Sequence, residues 1–494
     1  MGYRLKPGLY RDSVALMRLA VDVQAQPGIR QAAALMATPA NRAALAESGL
    51  TWPAGVNGQA DDLLIVAAGD TAAQVEAALD WAETRLVSAV GAAEAGLAAE
   101  RRPRTMAEGL RHLPQANLVL ISVPGEYAYA EALKALKAGR HVFLFSNGVS
   151  LEDEARLKEF AAARGLLVMG PDCGTAHLAG VPLGFANAVR RGNIGLVAAS
   201  GSGLQEVMCL IDDWGGGVSH AIGAGGRDLH ERIGGSTTLG GLRLLQDDPG
   251  TAAIVVLSKP PAPAVAERIR QAARSLGKPC IIGFLGAQPG GSAAAGLLTG
   301  STLEEVAQLA LNAVGLTAPA LTMPAGRRVA PPRRFVRGLF AGGTLCGEAA
   351  QILQSGLGDV CRSAEWGRLP AAHICLDLGD EQYTQGRAHP MIDGRLRADW
   401  LRLAAQDAET AVVLFDVILG YGASPDPAGL LLDALGRGAG GPSYVARVCG
   451  TTADPQNKAD VQARLRAAGV SIAPSNAAAA RLAMEMVHDR PDPA

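Results

Sequence analysis

Short apolar runs, each closed by glycine or a polar turn and followed by an amphipathic stretch, recur along most of the chain. They fall at Leu63–Ala67, Asn117–Val123, His141–Phe145, Leu166–Met169, Ile194–Ala199, Val218–Ile222, Ala252–Leu257 and Pro279–Phe284. Four more follow at Phe335–Phe340, His373–Leu378, Val412–Ile418 and Tyr444–Val448, with a last short one at Val470–Ala473. Runs of this length with turn signals at their ends predict buried strands of a parallel sheet, and the stretches between them predict its crossover helices. Helices are expected over Thr71–Val90, Ala128–Ala138, Thr238–Asp247, Ala264–Leu276, Leu345–Gln354 and Ala398–Ala405. Another should start at Ser150, whose hydroxyl, with Asp153 three residues on, forms a capping box. The first hundred residues alternate less cleanly. Tyr3–Tyr10 and Ala32–Met36 read as strands, Asp12–Val23 as a helix, and Thr38-Pro39 as the start of a helix reaching Ser48.

Asn193–Glu206 dominates the pattern: a strand, the glycine turn Ser200-Gly201-Ser202-Gly203, then a helix from about Leu204. A helix start leaves N–H groups unpaired, and with the positive end of the helix dipole they attract an anion such as phosphate. A plain βα turn with Ser200 or Ser202 as N-cap accounts for the same residues. Further on, Ala341-Gly342-Gly343-Thr344 repeats the device. The order strand, glycine turn, helix, strand, Gly-Asp loop, helix, strand occurs on both sides of Leu316–Arg334, which is read as a linker kept solvated by Arg327, Arg328, Arg333 and Arg334. The expected fold is α/β and multidomain: a Rossmann-like parallel sheet followed by two repeated α/β domains. Its expected divisions are an N-terminal α/β region over 1–115, a Rossmann-like domain over 116–190, α/β domains over 191–318 and 335–490, and a linker over 319–334.

Composition narrows the chemistry. With 494 residues and 49% hydrophobic positions, the chain can bury several cores. Aromatics make up 4% and the formal net charge is −2, which argues against a nucleic-acid surface or a basic membrane face. No apolar run reaches the length of a membrane span, and the N-terminus carries no secretory pattern. The seven cysteines lack CxxC spacing, so reduced thiols in a cytoplasmic protein are expected and a structural zinc site is not. The Rossmann-like segment lacks the GxGxxG fingerprint and no GxxxxGK[ST] occurs in the chain, which argues against dinucleotide and Walker sites.

Ligands of such sheets lie beyond the carboxyl ends of the strands. Three loops converge there: Ser200–Gly203, Gly223–Asp228 with Gly225 and Gly226, and Ser258–Pro261 with Lys259. The second repeat adds Gly342, Gly343 and Thr344. Lys259 could meet a phosphate as a point charge or simply be exposed. Asp228 and Asp380, each beyond glycines at a strand end, could position a substrate amide or a metal, or simply cap the next helix. In the loop Arg387-Ala388-His389-Pro390-Met391-Ile392-Asp393, Arg387 could hold a carboxylate while His389 moves a proton; alternatively, Asp393 caps a helix and His389 sits at an interface. Arg101, Arg102 and Arg104 read as a solvated face or a contact for a partner.

Several stretches, taken in order, resemble FdrA proteins. They are Gly170–Thr175, Asn193–Glu206, Ala221–Leu229, Ser258–Pro261, Ala341–Leu345, Asp377–Asp380 and Gly386–Asp393. FdrA proteins are similar in turn to succinyl-CoA synthetase: 117–315 looks like its α subunit and 335–490 like the end of its β subunit. The resemblance implies that the two repeats, over 191–318 and 335–490, are flavodoxin-like, ligase-like domains of the succinyl-CoA-synthetase type, with their two glycine-turn helices facing one another. It implies a component of an oxamate carbamoyltransferase in allantoin (purine) breakdown, which interconverts oxalurate plus phosphate with oxamate plus carbamoyl phosphate. Partner protein subunits, an oligomer and a small-molecule substrate come with it; phosphate or carbamoyl phosphate is the expected ligand, CoA is not favoured, and no metal is expected. The departure from the synthetase lies in Gly286–Ala293, where its phosphorylated histidine would stand and this chain has none. No stretch between the repeats is long enough for an ATP-grasp module.

Overall fold

The computed structural model describes the chain except residues 10, 12, 39–40, 43–44, 47, 54, 57, 95–102, 287–296, 327–331, 385–387, 437–440 and 489–494. Arg101, Arg102, Arg327, Arg328, Arg387 and most of the Gly286–Ala293 loop therefore lie outside the described residues, as does part of the helix expected after Thr38.

The first segment holds β1 (Gly2–Lys6), α1 (Ser13–Gln24), β2 (Ile29–Met36), β3 (Leu63–Gly69) and α2 (Ala72–Glu94). Its sheet is antiparallel with β3 central, and Leu16, Leu19, Leu63, Ile65 and Leu79 fill the core against the helices. After α3 (Met106–His112), a small parallel sheet follows: β4 (Leu118–Ile121), α4 (Gly125–Lys137), β5 (His141–Leu144), α5 (Leu151–Ala162) and β6 (Val168–Met169). Ser150 Oγ does accept from Asp153 N at 3.1 Å, so the predicted cap forms. The helix expected over Ala128–Ala138 starts earlier, at Gly125, with Pro124 at its N-cap position.

A hairpin not foreseen from the pattern, β7 (Thr175–Leu178) and β8 (Val181–Gly184), then joins the next sheet antiparallel through β10. That sheet contains β9 (Arg191–Ala198), α6 (Gly201–Asp213), β10 (Val218–Gly223), α7 (Ser236–Asp247), β11 (Ala253–Ser258), α8 (Pro263–Arg274), β12 (Cys280–Phe284), β13 (Leu297–Thr299) and α9 (Leu303–Ala313). Counted from β9, the parallel strands run 2-1-3-4-5, the flavodoxin-like order, which puts the switch point between β9 and β11.

The last sheet repeats this order with one extra edge strand. It is built from β14 (Phe335–Phe340), α10 (Gly343–Leu357), β15 (Val360–Cys361), β16 (His373–Asp377), α11 (Glu381–Thr384), α12 (Arg395–Gln406), β17 (Thr410–Ile418), α13 (Gly429–Ala434), β18 (Ser443–Cys449), α14 (Lys458–Ala467), β19 (Val470–Ala473) and α15 (Asn476–His488). Here β14 lies between β16 and β17. The linker arginines are not simply solvated. Arg333 donates to the Asp407 and Thr410 carbonyls at 2.8 Å, and Arg334 pairs with Glu409.

One continuous apolar core joins the two flavodoxin-like halves. It runs through α6 and α9 on one side and α10 and α15 on the other, with Leu204, Met208, Leu311, Leu345, Leu353 and Ala479 buried in it. Polar groups inside the joint are paired across it. Arg447 meets Glu206 at 2.9 Å, Asn476 N donates to Glu206 Oε1, and Glu348 takes Leu303 N at 2.6 Å and Asn476 Nδ2 at 2.7 Å. Truncating one member of such a buried pair strands the other charge, which fixes the register of the halves.

Burial raises the Glu348 carboxyl from 4.5 to about 7, against the two hydrogen bonds it accepts. The folded state therefore keeps this proton where the unfolded chain has lost it, and stability falls as pH rises from 4.5 through 7. Glu348→Gln should flatten that decline. Over pH 5 to 8 the wild type should lose up to about 3 kcal/mol more unfolding free energy than the variant, read by denaturant titration at each pH.

Candidate functional site

The carboxyl ends of β9 and β14 carry the two glycine turns, and the fold sets them tip to tip. Ser200 Oγ caps α6 by accepting from Gly203 N at 3.0 Å, and it also meets Thr344 Oγ1 at 2.6 Å. In return Thr344 N, in the first turn of α10, donates to Ser202 Oγ at 3.2 Å. The first turn thus supplies a cap to α10, and the two turns are tied by a hydroxyl contact. Glycine is required for this approach: a Cβ on Gly342 would stand 2.8 Å from Ser202 Cβ, and one on Gly203 would stand 3.0 Å from Thr344 Cγ2.

The turns are not equivalent. Both carboxylate oxygens of buried Asp416 take N–H groups of the second turn, Ala341 N at 2.9 Å and Gly342 N at 2.8 Å. Buried Arg397 lies against Asp416 at 3.2 Å. That arrangement leaves the N–H groups of Gly201, Ser202 and Gly343 without a hydrogen-bond partner among the described residues. These three donors are the part of the paired helix tips still open to an anion.

They open into a cleft of about 1170 Å³ lying between the sheets. Ser200, Gly201, Ser202, Gly225, Gly226, Lys259, Gly342, Gly343, Thr344 and His389 all line it. Gly203 sits behind the tip against Thr344. The N-terminal segment covers another wall with Met17, Gln24 and Arg30.

Two predicted acids take structural places. Asp228 is buried against Lys158 at 2.8 Å and accepts from Thr237 N, Thr238 N and Thr238 Oγ1, so it caps α7 and does not line the cleft. Asp380 is exposed and accepts from Gln382 N at the start of α11, also away from the cleft wall. Capping, the alternative weighed for both, describes their contacts. His389 does reach the cleft, but desolvation and then Arg397 lower its imidazole to about 4. It is neutral at pH 7. Its Nδ1 accepts from Met391 N at 3.2 Å, which leaves Nε2–H as the donor. Asp393 pairs with Arg395 and accepts Arg395 N, a local turn at the start of α12.

Three groups escaped the sequence reading. Asp172, at φ 53, is water-accessible in the cleft yet crowded enough to raise its carboxyl, with Arg227 acting in the opposite direction. Asp377 packs against Gly343, where an added Cβ would stand 2.2 Å from its Oδ2. Desolvation raises it to about 6, while Lys259 pulls the other way. Gln205, 1% exposed, forms part of the wall just inside α6.

Two flavodoxin-like halves meeting at their helix tips, behind a small parallel sheet, define a CoA-ligase-type α/β protein. Residues 339–486 match the family described as CoA-ligase, and residues 1–103 match the one described as AllF, heavy metal-associated domain. The chain is 38% identical over 508 aligned positions to the uncharacterized protein YahF of Escherichia coli (strain K12), covering 98% of each. It belongs to that family, whose members are FdrA/AllF-like and of the succinyl-CoA-synthetase type. It is also 29% identical over 151 residues to subunit alpha 2 of the ADP-forming succinate–CoA ligase of Archaeoglobus fulgidus, covering 29% of this chain and 50% of that subunit. A solved dinucleotide-forming acetyl-coenzyme A synthetase 1 from Ca. Korarchaeum cryptofilum, with phosphate and ADP, covers 75% of this chain and 82% of its own at 16% identity, with a TM-score of 0.33.

Neither group that these names imply fits the residues present. Residues 1–103 contain no cysteine and no histidine, the usual soft ligands of a heavy metal. The cleft wall from residues 122–185 presents Glu126 and Asp172 but no lysine or arginine, a poor match for the phosphates of CoA. Among the described residues no helix is long and apolar enough to cross a membrane.

Asp377, with its carboxyl near 6, loses its negative charge beside the α10 tip as pH falls. Sulfate, whose own charge stays fixed, should bind about threefold or more tightly at pH 5.5 than at 7.5, the effect of one charge a few ångströms away in a wet cleft. Asp377→Asn should remove most of this difference in a calorimetric titration.

Proposed function

We propose that this chain is the component of a carbamoyltransferase that holds phosphate while a carbamoyl group is passed between it and oxamate. The observation that carries the reading is the pair of helix tips, with three open N–H donors, facing one cleft from two repeats. In the oxalurate direction, a phosphate oxygen attacks the terminal ureido carbonyl. The C–O bond to phosphate forms, the C–N bond to the oxamate nitrogen breaks, and that nitrogen takes up a proton. No protein nucleophile is needed; fixed donors and positioning carry the step.

The N–H groups of Gly201, Ser202 and Gly343 hold the phosphate, with Lys259 supplying positive charge from the cleft rim. Neutral His389, through Nε2–H, orients a substrate oxygen and does not serve as a proton source near pH 7. Asp172 is the acid placed to exchange a proton with the departing nitrogen. Arg387, two residues before His389 in the sequence, is assigned the substrate carboxylate. Partner subunits complete the enzyme, and the product is carbamoyl phosphate. The rival reading, CoA-thioester formation driven by ATP, lacks a histidine anywhere in 286–296.

The purified chain, alone and with its co-expressed partners, is incubated with oxalurate and phosphate. Phosphate-dependent release of oxamate and carbamoyl phosphate is expected from the complex. Gly343→Ala, which drives a methyl into the Asp377 carboxylate, should lower that rate at least about tenfold, chiefly by raising KM for phosphate. Thioester formation from CoA and ATP, with no phosphorolysis, would overturn the proposal.

A further inference from the structure

Asp377 stands at the α10 tip without capping it. Its Oδ2 lies 2.2 Å from where a Cβ on Gly343 would be, yet it takes no N–H of that turn. Asp416 holds the N–H groups of Ala341 and Gly342, Ser202 takes that of Thr344, and that of Gly343 is open. Oδ1 accepts from Gly379 N at 3.1 Å. Gly343 and Gly379 both line the cleft, so each oxygen is set against its wall. Oδ2 has no hydrogen-bond partner among the described residues and is not sealed from water. An acid this near a helix start ordinarily serves as its cap, as Asp228 does for α7, and here that account fails. The charged groups around the carboxyl are Lys259, which favours its ionised form, and Asp380 and Asp416, which oppose it. His389, against Gly379, is neutral. Desolvation outweighs each of these and puts the carboxyl at about 6, so it is ionised at pH 8. An ionised carboxylate beside an anion site is a cost unless the anion brings a proton to it.

We infer that Asp377 is a specificity-determining residue that selects an oxyanion carrying a proton, hydrogen phosphate, over a fully ionised one of the same shape and charge. The inference rests on the reading above, in which phosphate sits at the paired helix tips, and adds to it a choice of anion. The open N–H groups of Gly201, Ser202 and Gly343 can only donate, so they treat any tetrahedral oxyanion alike. The ionised Asp377 Oδ2 can only accept. A phosphate oxygen turned towards it presents P–O–H and makes a charge-assisted hydrogen bond. A sulfate oxygen in the same place presents no proton, and two acceptors of like charge then face each other. The choice bears on the reaction. With the proton held at Asp377, the other phosphate oxygens are bare, and a bare oxygen is what attack on the ureido carbonyl requires.

The full chain is titrated calorimetrically with inorganic phosphate and with sulfate at pH 8, in a buffer free of other oxyanions. Both ligands are then dianions, and only phosphate carries a proton. The wild type should bind phosphate at least about tenfold more tightly. In Asp377→Asn the Gly379 N–H keeps the amide oxygen at the Oδ1 position, so an NH2 stands where Oδ2 was. That group donates to either anion, and the preference should fall to within about twofold, chiefly because sulfate binds more tightly. A variant that merely folded badly would lose affinity for both anions and could not gain it for sulfate. Equal affinities in the wild type, a measurement that needs no variant, overturn the role of Asp377 and leave the anion cleft standing. So does an Asp377→Asn protein that keeps the preference. A wild type that binds neither anion overturns the cleft and, with it, the reading on which this inference rests.

Discussion

The rest of the structure depends on one contact: two helix N-termini brought so close that a serine of one turn caps the helix of the other. Ser200 meets Thr344, and Thr344 N donates to Ser202. Two positive dipole ends would ordinarily repel. They are held together here by the apolar joint between α6, α9, α10 and α15, and by the cross-paired Glu206, Arg447, Glu348 and Asn476 inside it. Repulsion between the tips is the physical reason for an anion to bind there, since a negative group relieves it.

The surrounding charges are graded around that point. Asp416 occupies the inner donors of the second turn, and Arg397 compensates it. The open donors are left at the outer rim, where Lys259 adds positive charge and Asp377 sets a limit on it. The N-terminal segment, although matched to a heavy metal-associated family, contributes wall rather than metal ligands. A cleft assembled from all four segments gives the chain a reason to carry them together.

The parallel sheets were legible because buried strands ending in glycine leave a strong pattern; Phe335–Phe340 and Val470–Ala473 lie where the apolar runs put them. The facing of the turns came from the family resemblance and not from the local pattern, which gives two turns but not their mutual placement. The β7–β8 hairpin was hidden because its turn, Ala179-Gly180, sits between strands too short to alternate clearly, although glycine there was a cue. Asp228 looked like a site residue because helix caps and catalytic acids share the same place at strand ends, and only the contacts with Lys158, Thr237 and Thr238 separate them. Gln205 and Asn187 carry no motif of their own. They are linked through hydrogen bonds to Asp454, more than two hundred residues away in the chain, and local pattern cannot report such a pairing.

The most direct measurement is a crystal structure of the full chain grown or soaked with sulfate. The account predicts a single ordered anion between the two turns, with oxygens within hydrogen-bond distance of the N–H groups of Gly201, Ser202 and Gly343. Turns that stand apart, or a crystal whose sulfate lies elsewhere while this space holds only water, would contradict it.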